Sequence, residues 1–215
     1  MSNLAVILHP MSTTISIKLN KVSKKFGRSW IFKDISMDLH SGKSYALTGA
    51  NGSGKSTLLK VIAGILTPNQ GELKCALGGK AIAAEDMYKH ITYCAPYQEL
   101  PDEMTLVELL NFHQQLRKLT IPAKQIIEML GIEPDKEIRN YSSGMKQRVK
   151  LALAFYTETA AIFLDEPTNT LDEHWANWYY NEVQHIAKNK LLVISSNHQP
   201  EYSFCNEVLS IAQYK

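Results

Sequence analysis

Hydrophobic and polar positions alternate strictly in two stretches near the start of the chain. Apolar residues occupy every second position in Ile15–Leu19 and again in Ile35–Leu39. A period of two places alternate side chains on one face, which is typical of a half-buried β-strand. Because Gly27–Trp30 lies near the turn between the two stretches, we predict an N-terminal antiparallel β subdomain.

From residue 44 onward the pattern changes: short apolar runs alternate with segments whose apolar residues recur at helical spacing. Ser44–Thr48 leads directly into a glycine-rich segment, and the apolar residues of 58–63 then fall on one helical face. Strands that alternate with helices indicate a parallel sheet covered on both faces, so we predict an α/β fold. The further predicted strands are Gly71–Leu77, His90–Cys94, Ala160–Leu164, Lys190–Ser195 and Val208–Ala212.

The middle of the chain is predicted to be helical. Thr105 and Glu108 have the spacing of a capping box, and leucines follow them at helical spacing. Pro122 is suited to the start of a second helix and Gly131 to its end. These signals indicate that helices interrupt the α/β core.

This interruption divides the chain. We predict a core formed by residues 11–98 and 158–215, with a helical lobe at 99–157 inserted between them. Met11 begins a stretch that is typical of a protein start, so residues 1–10 could be an N-terminal extension.

Composition narrows the class of protein. Hydrophobic residues make up 45% of the 215 residues and the formal net charge is +2, which gives no reason to expect a nucleic-acid partner. The three cysteines have no metal-ligand spacing. The apolar runs are far shorter than the roughly 20 residues that span a bilayer, and no leader pattern is evident. We therefore expect a cytoplasmic protein without direct membrane insertion.

The glycine-rich segment matches the pattern G-x4-G-K-S between a predicted strand and a predicted helix. Glycines let successive backbone N–H groups converge on phosphate oxygens, and the following helix adds its positive end. Lys55 would contact the β- and γ-phosphates, and the Ser56 hydroxyl would ligate Mg²⁺. The predicted nucleotide-binding residues are Gly49, Ala50, Asn51, Gly52, Ser53, Gly54, Lys55, Ser56 and Thr57.

Two carboxylates follow the apolar run Ala161–Leu164. Asp165, at the carboxyl end of that strand, is placed to hold Mg²⁺ through water. The adjacent Glu166 can orient and deprotonate an attacking water molecule. Paired carboxylates at a strand end are often merely solvated, but here they follow a buried run in a chain with a phosphate loop.

These motifs, in this order, resemble those of the ATP-binding cassette (ABC) ATPases. The run Ala161–Glu166 resembles a Walker B motif, and Tyr141–Arg148 resembles the family's LSGGQ-type signature. His198, just past the strand Leu191–Ser195, sits where that family has its switch histidine. The resemblance covers the chain from about Thr14 to its end. It implies a P-loop NTPase, RecA-like core that binds and hydrolyses ATP with Mg²⁺.

The signature implies a dimer. Ser142, Ser143 and Gly144 would lie at a helix N-terminus, where exposed N–H groups and a hydroxyl form a second anion site. A plain helix N-cap is the alternative. If the resemblance holds, this site closes on the γ-phosphate held by a second subunit. Ser143 and Met145 depart from the family pattern of Gly and Gln, and Ser143 would be strained if its position required a positive φ.

The resemblance assigns roles to four more residues. Gln98 resembles the glutamine that contacts Mg²⁺ and couples the nucleotide to the helical lobe, although a surface glutamine is the alternative. Phe26 resembles the aromatic residue that stacks on adenine, with a core position in the first hairpin as the rival. Asp172 resembles the D-loop aspartate, and His198 would contact the γ-phosphate.

We therefore expect the ATP-hydrolysing subunit of an ABC transporter that works as a homodimer on integral-membrane partner subunits. It would lie in the cytoplasm, peripherally associated with the inner face of a membrane through those partners. Short length mildly favours an exporter-type system. The alternative is a stand-alone, non-transport ABC ATPase that acts in a soluble assembly process.

Overall fold

The computed structural model describes residues 14–215, so the predicted extension at 1–10 lies outside the described residues. The described part contains two sheets and a set of helices. In chain order, the elements are β1 (Ile15–Phe26), β2 (Ser29–His40), β3 (Ser44–Thr48), α1 (Lys55–Ile62), β4 (Gln70–Leu77), β5 (Lys80–Ile82), β6 (Ile91–Cys94), α2 (Leu106–Leu116), α3 (Ala123–Leu130), α4 (Ser143–Tyr156), β7 (Ala161–Asp165), α5 (Glu173–Ile186), β8 (Leu191–Ser195) and β9 (Glu207–Ser210).

The first sheet is antiparallel, in the order β2-β1-β4-β5. The alternation in β1 works as predicted, since Ile15, Ile17 and Leu19 are buried and point into one core. The predictions missed β5. A hairpin joins it to β4 through Gly78 and Gly79, which both have positive φ, so the Gly-Gly pair was the signal that could have found it.

The second sheet is parallel, in the order β6-β7-β8-β3-β9. Its inner strands β7 and β8 are buried on both faces, and their side chains divide between two cores. Phe163 of β7 packs into the core shared with the antiparallel sheet and α1. Ile162 and Leu164 pack into the core shared with the helices α2 to α5. The predicted α/β fold with a parallel sheet and an antiparallel subdomain is confirmed.

The last strand is shorter than predicted. The apolar run predicted a strand at Val208–Ala212, but β9 ends at Ser210 and a 3-10 turn follows from Ile211. The pairing stops because Ser210 pairs with Thr48, the last residue of β3, after which that strand gives way to the glycine loop. Ile211 is fully buried beneath that loop.

The helices of the middle region stand between the two core segments. The capping box forms as predicted, because Glu108 N donates to Thr105 Oγ1 at 3.2 Å and Thr105 N donates to Glu108 Oε2 at 2.8 Å. Helix α4 also reaches the sheet, where Thr92 Oγ1 donates to Ala154 O at 2.9 Å. The boundaries of the lobe at 99–157 therefore stay a prediction. Among residues 14–215, no helix is long and apolar enough to cross a membrane.

Candidate functional site

The glycine loop between β3 and α1 forms a small concavity of about 170 Å³. Gly49, Gly52 and Gly54 all have positive φ, a conformation that glycine adopts without steric cost, and Gly54 is the N-cap of α1. Within the described part of the chain, the buried hydroxyl of Ser53 has no hydrogen-bond partner. An unpaired donor beside a helix N-terminus suits an oxyanion such as a phosphate.

Gly54 tolerates no side chain. Its φ is 105° and an added Cβ would lie 2.4 Å from Ile31 Cγ2. We expect Gly54→Ala to lower the free energy of unfolding by about 1–3 kcal/mol, measured by urea denaturation. Gly52→Ala is the matched control, because φ is also positive there but no atom lies within 4 Å. Equal destabilisation by both variants would contradict the clash, and Ile31→Ala should partly rescue Gly54→Ala only.

Lys55 places its charge inside the loop. Its side chain is 5% exposed, and Nζ donates to Gly49 O at 3.0 Å. Nζ also lies 3.7 Å from Glu166 Oε1. The cation therefore bridges the phosphate loop and the end of β7, and it would lie against any phosphate bound there.

Asp165 joins three elements through one oxygen. Ser56 Oγ donates to its Oδ1 at 3.0 Å, and Ser195 Oγ at the end of β8 donates to the same atom at 2.7 Å. The carboxylate and the Ser56 hydroxyl are hard oxygen donors, which suits Mg²⁺. No group of three or more His, Cys, Asp or Glu residues suited to a metal occurs in residues 14–215.

Glu166 has an unusual backbone. Its φ is +44°, and its N–H donates to Ser195 O at 2.8 Å, so the strand end is turned sharply and held by its neighbour. Burial raises the pKa of the Glu166 carboxyl, the charge of Glu201 adds to the rise, and Lys55 opposes it. A carboxylate with a raised pKa is a stronger base, as abstraction of a proton from water requires.

His198 lies in the turn after β8 and is exposed. Its N–H donates to Ser196 Oγ at 2.9 Å, and the preceding Asn197 donates from Nδ2 to Asn51 Oδ1 at 2.9 Å. The Asn pair ties this turn to the glycine loop, so His198 stands beside the predicted phosphate site. No local sequence pattern marks Asn197, because its partner lies 146 positions away in the chain.

Phe26 ends β1 and is 53% exposed, with Lys24 Nζ 5.4 Å from its ring centroid. This exposure argues against the rival interpretation of Phe26 as a core residue of the hairpin, and about half of the side chain is accessible for stacking. Its role towards adenine stays a prediction.

The signature segment begins α4. Ser142 caps the helix, and its Oγ accepts a hydrogen bond from Met145 N at 3.2 Å. Ser143 does not have the positive φ that would strain it, so serine fits this position. No hydrogen bond joins Ser142, Ser143 or Gly144 to residues 49–57 within the described part of the chain. Among residues 14–215, the start of α4 thus has no hydrogen bond to the cluster that Lys55, Ser56, Asp165 and Glu166 form, and it contacts the loop after Glu166 instead, where Thr170 Oγ1 donates to Ser143 O at 3.3 Å.

Two predicted residues also stand outside that cluster. Asp172 is exposed and caps α5, where its carboxylate accepts from Trp175 N at 3.0 Å. Gln98 is exposed and lines a cleft of about 520 Å³ between the α1 end, residues 84–93 and the middle helices. In residues 14–215, no hydrogen bond links Gln98 to Ser56 or Asp165, so its predicted contact with Mg²⁺ stays a prediction.

The structure adds two side chains that sequence patterns did not single out. Gln147 of α4 is buried and donates from Nε2 to Pro167 O at 2.7 Å. Glu201 is buried beneath the turn that carries His198 and accepts from Thr168. Both hold the loop that follows Glu166. The only sequence signal was a polar residue inside a predicted helix or turn, which is too common to be informative.

Comparisons with known proteins identify the family. A family model described as "ABC transporter" matches residues 32–169 of the 215. The cytochrome c biogenesis ATP-binding export protein CcmA of Mannheimia succiniciproducens is 27% identical over 210 residues, which cover 95% of this chain and 98% of that protein. The sulfate/thiosulfate import ATP-binding protein CysA of Synechocystis sp. is 35% identical over 167 residues, which cover 74% of this chain and 46% of that protein.

A solved structure shares the fold. It is a dimeric ATP-binding cassette in a post-hydrolysis state bound to ADP and Pi, with a TM-score of 0.75 and 20% identity over 91% of this chain and 94% of that one. The family match covers more than half of the sequence and includes the phosphate loop, the signature and the Walker B carboxylates. This chain therefore belongs to the ABC transporter family.

Proposed function

We propose that this protein is the ATP-binding and hydrolysing subunit of an ABC transporter, and that it works as a nucleotide-sandwich dimer. The observation that carries the proposal is the convergence of Lys55, Ser56, Asp165 and Glu166 on one side of the glycine loop. These groups are a cation for phosphates, two oxygen donors for a metal, and a base.

Each group has a defined task. Lys55 and the loop N–H groups bind the β- and γ-phosphates, and Ser56 and Asp165 are the residues that would hold Mg²⁺. The bound ion would supply positive charge against the phosphate oxygens. Glu166 orients the attacking water and takes its proton. His198 contacts the γ-phosphate, and the exposed ring of Phe26 stacks on adenine.

The second half of each site comes from another subunit. Ser142, Ser143 and Gly144 present an anion site that does not belong to the chain's own phosphate loop, and Asp172 lies at the same exposed end of its neighbour α5. A two-fold dimer would bring each signature onto the partner's nucleotide. The dimeric cassette bound to ADP and Pi supports this arrangement.

A membrane-embedded partner would dock at the cleft beside Gln98. Tyr88, which is 66% exposed, lines this cleft, and Tyr97, which is 97% exposed, directly precedes Gln98. Such side chains favour burial against a partner. The names of the relatives include both an export and an import protein, which supports a transport role without fixing its direction. The subunit would then lie on the cytoplasmic face through this contact.

Capture from native membranes tests the transport role. We expect the tagged protein to bring down a protein with several membrane-spanning segments, detected by mass spectrometry. Tyr88→Arg should lower that capture severalfold, because it places a charge in the apolar contact. Val208→Arg is the matched control, since Val208 is 58% exposed on β9 at the opposite edge of the parallel sheet. Capture of soluble partners alone would favour a soluble assembly ATPase instead.

A further inference from the structure

Glu201 is a buried carboxylate whose position the chemistry above does not explain. It is 1% exposed, although glutamate is rarely fully buried unless it is paired. Its Oε1 accepts hydrogen bonds from the N–H of Thr168 at 2.8 Å and from the Thr168 hydroxyl. Its Oε2 is buried and has no hydrogen-bond partner in the described part of the chain. Burying a carboxylate costs free energy unless it is hydrogen-bonded. Both of the hydrogen bonds that the Glu201 carboxylate accepts come from Thr168.

The main chain of Glu201 is held as firmly as its side chain. Its N–H donates to His198 O at 3.0 Å, which closes the turn that carries His198. Its carbonyl oxygen accepts from the hydroxyl of Tyr179, a fully buried residue of α5, at 3.1 Å. A shift of the His198 turn therefore moves the Glu201 carboxylate with it.

The other end of the link lies two residues after the proposed base. The loop at 167–171 connects Glu166 to the α5 cap, and Leu171 N donates to Thr168 O at 2.9 Å within it. Gln147 holds the same loop from α4 through Pro167 O at 2.7 Å. The position of Glu166 is thus defined from two sides, by α4 and by the His198 turn.

We propose that Glu201 is a positioning residue that couples the His198 turn to the loop after Glu166, so that contact of His198 with nucleotide and the placement of Glu166 change together. Glu201 touches no reacting atom: it holds Thr168 through its hydrogen bonds, and its charge also contributes to the raised pKa of Glu166. Glu201→Gln and Glu201→Met both remove that charge, so the comparison between them isolates the hydrogen bonds. The inference rests on the proposed function, because it presumes hydrolysis with Glu166 as the base. The inference goes beyond that function by naming the side chain that links the His198 turn to the loop after Glu166.

Paired variants of Glu201 and Thr168 test the link by steady-state ATP hydrolysis. Glu201→Met keeps the volume but loses the acceptor, and we expect kcat to fall about 10- to 100-fold with the KM for ATP within twofold, because the phosphate loop is untouched. Glu201→Gln keeps an acceptor oxygen and should stay within about threefold of the unaltered kcat. Thr168→Val should lower kcat several-fold, whereas Thr168→Ser keeps both donors and should rescue it.

The double variant Thr168→Val/Glu201→Met should be no slower than Glu201→Met alone, because both changes break one interaction. An unaltered kcat in Glu201→Met would overturn the inference, as would a Glu201→Gln variant as slow as Glu201→Met or a KM that rises as kcat falls. If Glu201→Met does not fold, the Thr168→Val and Thr168→Ser pair decides alone. An unaltered chain that hydrolyses no ATP would sink the proposed function instead.

Discussion

Glu166→Gln is expected to lower kcat for ATP hydrolysis by about 10²- to 10⁴-fold, which is the usual contribution of a general base. Glutamine has the same shape but cannot take a proton from water. ATP binding should persist, because Lys55 and the glycine loop remain in place. The variant should therefore accumulate as an ATP-bound dimer, visible as a shift in size-exclusion chromatography on addition of Mg²⁺ and ATP.

The matched control for this experiment is Glu128→Gln. Glu128 is an exposed carboxylate of α3, 3.9 Å from Lys124 Nζ, and it belongs to none of the segments proposed to contact nucleotide or the second subunit. It should leave both hydrolysis and the monomer–dimer equilibrium unaltered, because exposed charges of this kind contribute little. A Glu166→Gln variant that hydrolyses ATP at the original rate would show that Glu166 is not the general base.

Much of this site could be predicted because parallel strands end at a common edge. Asp165 ends β7 and Ser195 ends β8, the neighbouring strand, while the glycine loop follows β3 on the other side of β8. A strand-loop-helix pattern and two carboxylates after an apolar run are local signals, so their meeting follows from the sheet alone.

The rest depended on contacts that no local pattern encodes. The pair Asn51–Asn197 and the bond from Thr168 to Glu201 join residues far apart in sequence. Asn51 belongs to the predicted phosphate loop, but no sequence pattern marks Asn197, Thr168 or Glu201. The end of β9 was missed for a similar reason. An apolar run predicts a strand, but Ile211 is apolar because it packs beneath the glycine loop rather than because it pairs.

A mixture of two inactive variants should recover activity if each site is shared between subunits. Lys55→Ala removes the phosphate cation, and Gly144→Asp puts a negative charge at the proposed anion site, where an added Cβ would already lie 3.0 Å from Thr170 O. Each variant alone should have almost no activity. In a heterodimer, one site carries both defects and the other carries neither, since a two-fold interface pairs the loop of one subunit with the signature of its partner.

Random pairing makes half of the dimers heterodimers with one intact site of two, so the mixture should recover about a quarter of the original rate if the sites act independently. Isolation of the heterodimer through two different tags should raise this to about half. Two differently tagged Lys55→Ala chains form the control and should recover nothing. An isolated heterodimer that stays inactive, with both subunits folded by circular dichroism, would argue against shared sites. Recovery would instead place the signature of each subunit on its partner's nucleotide.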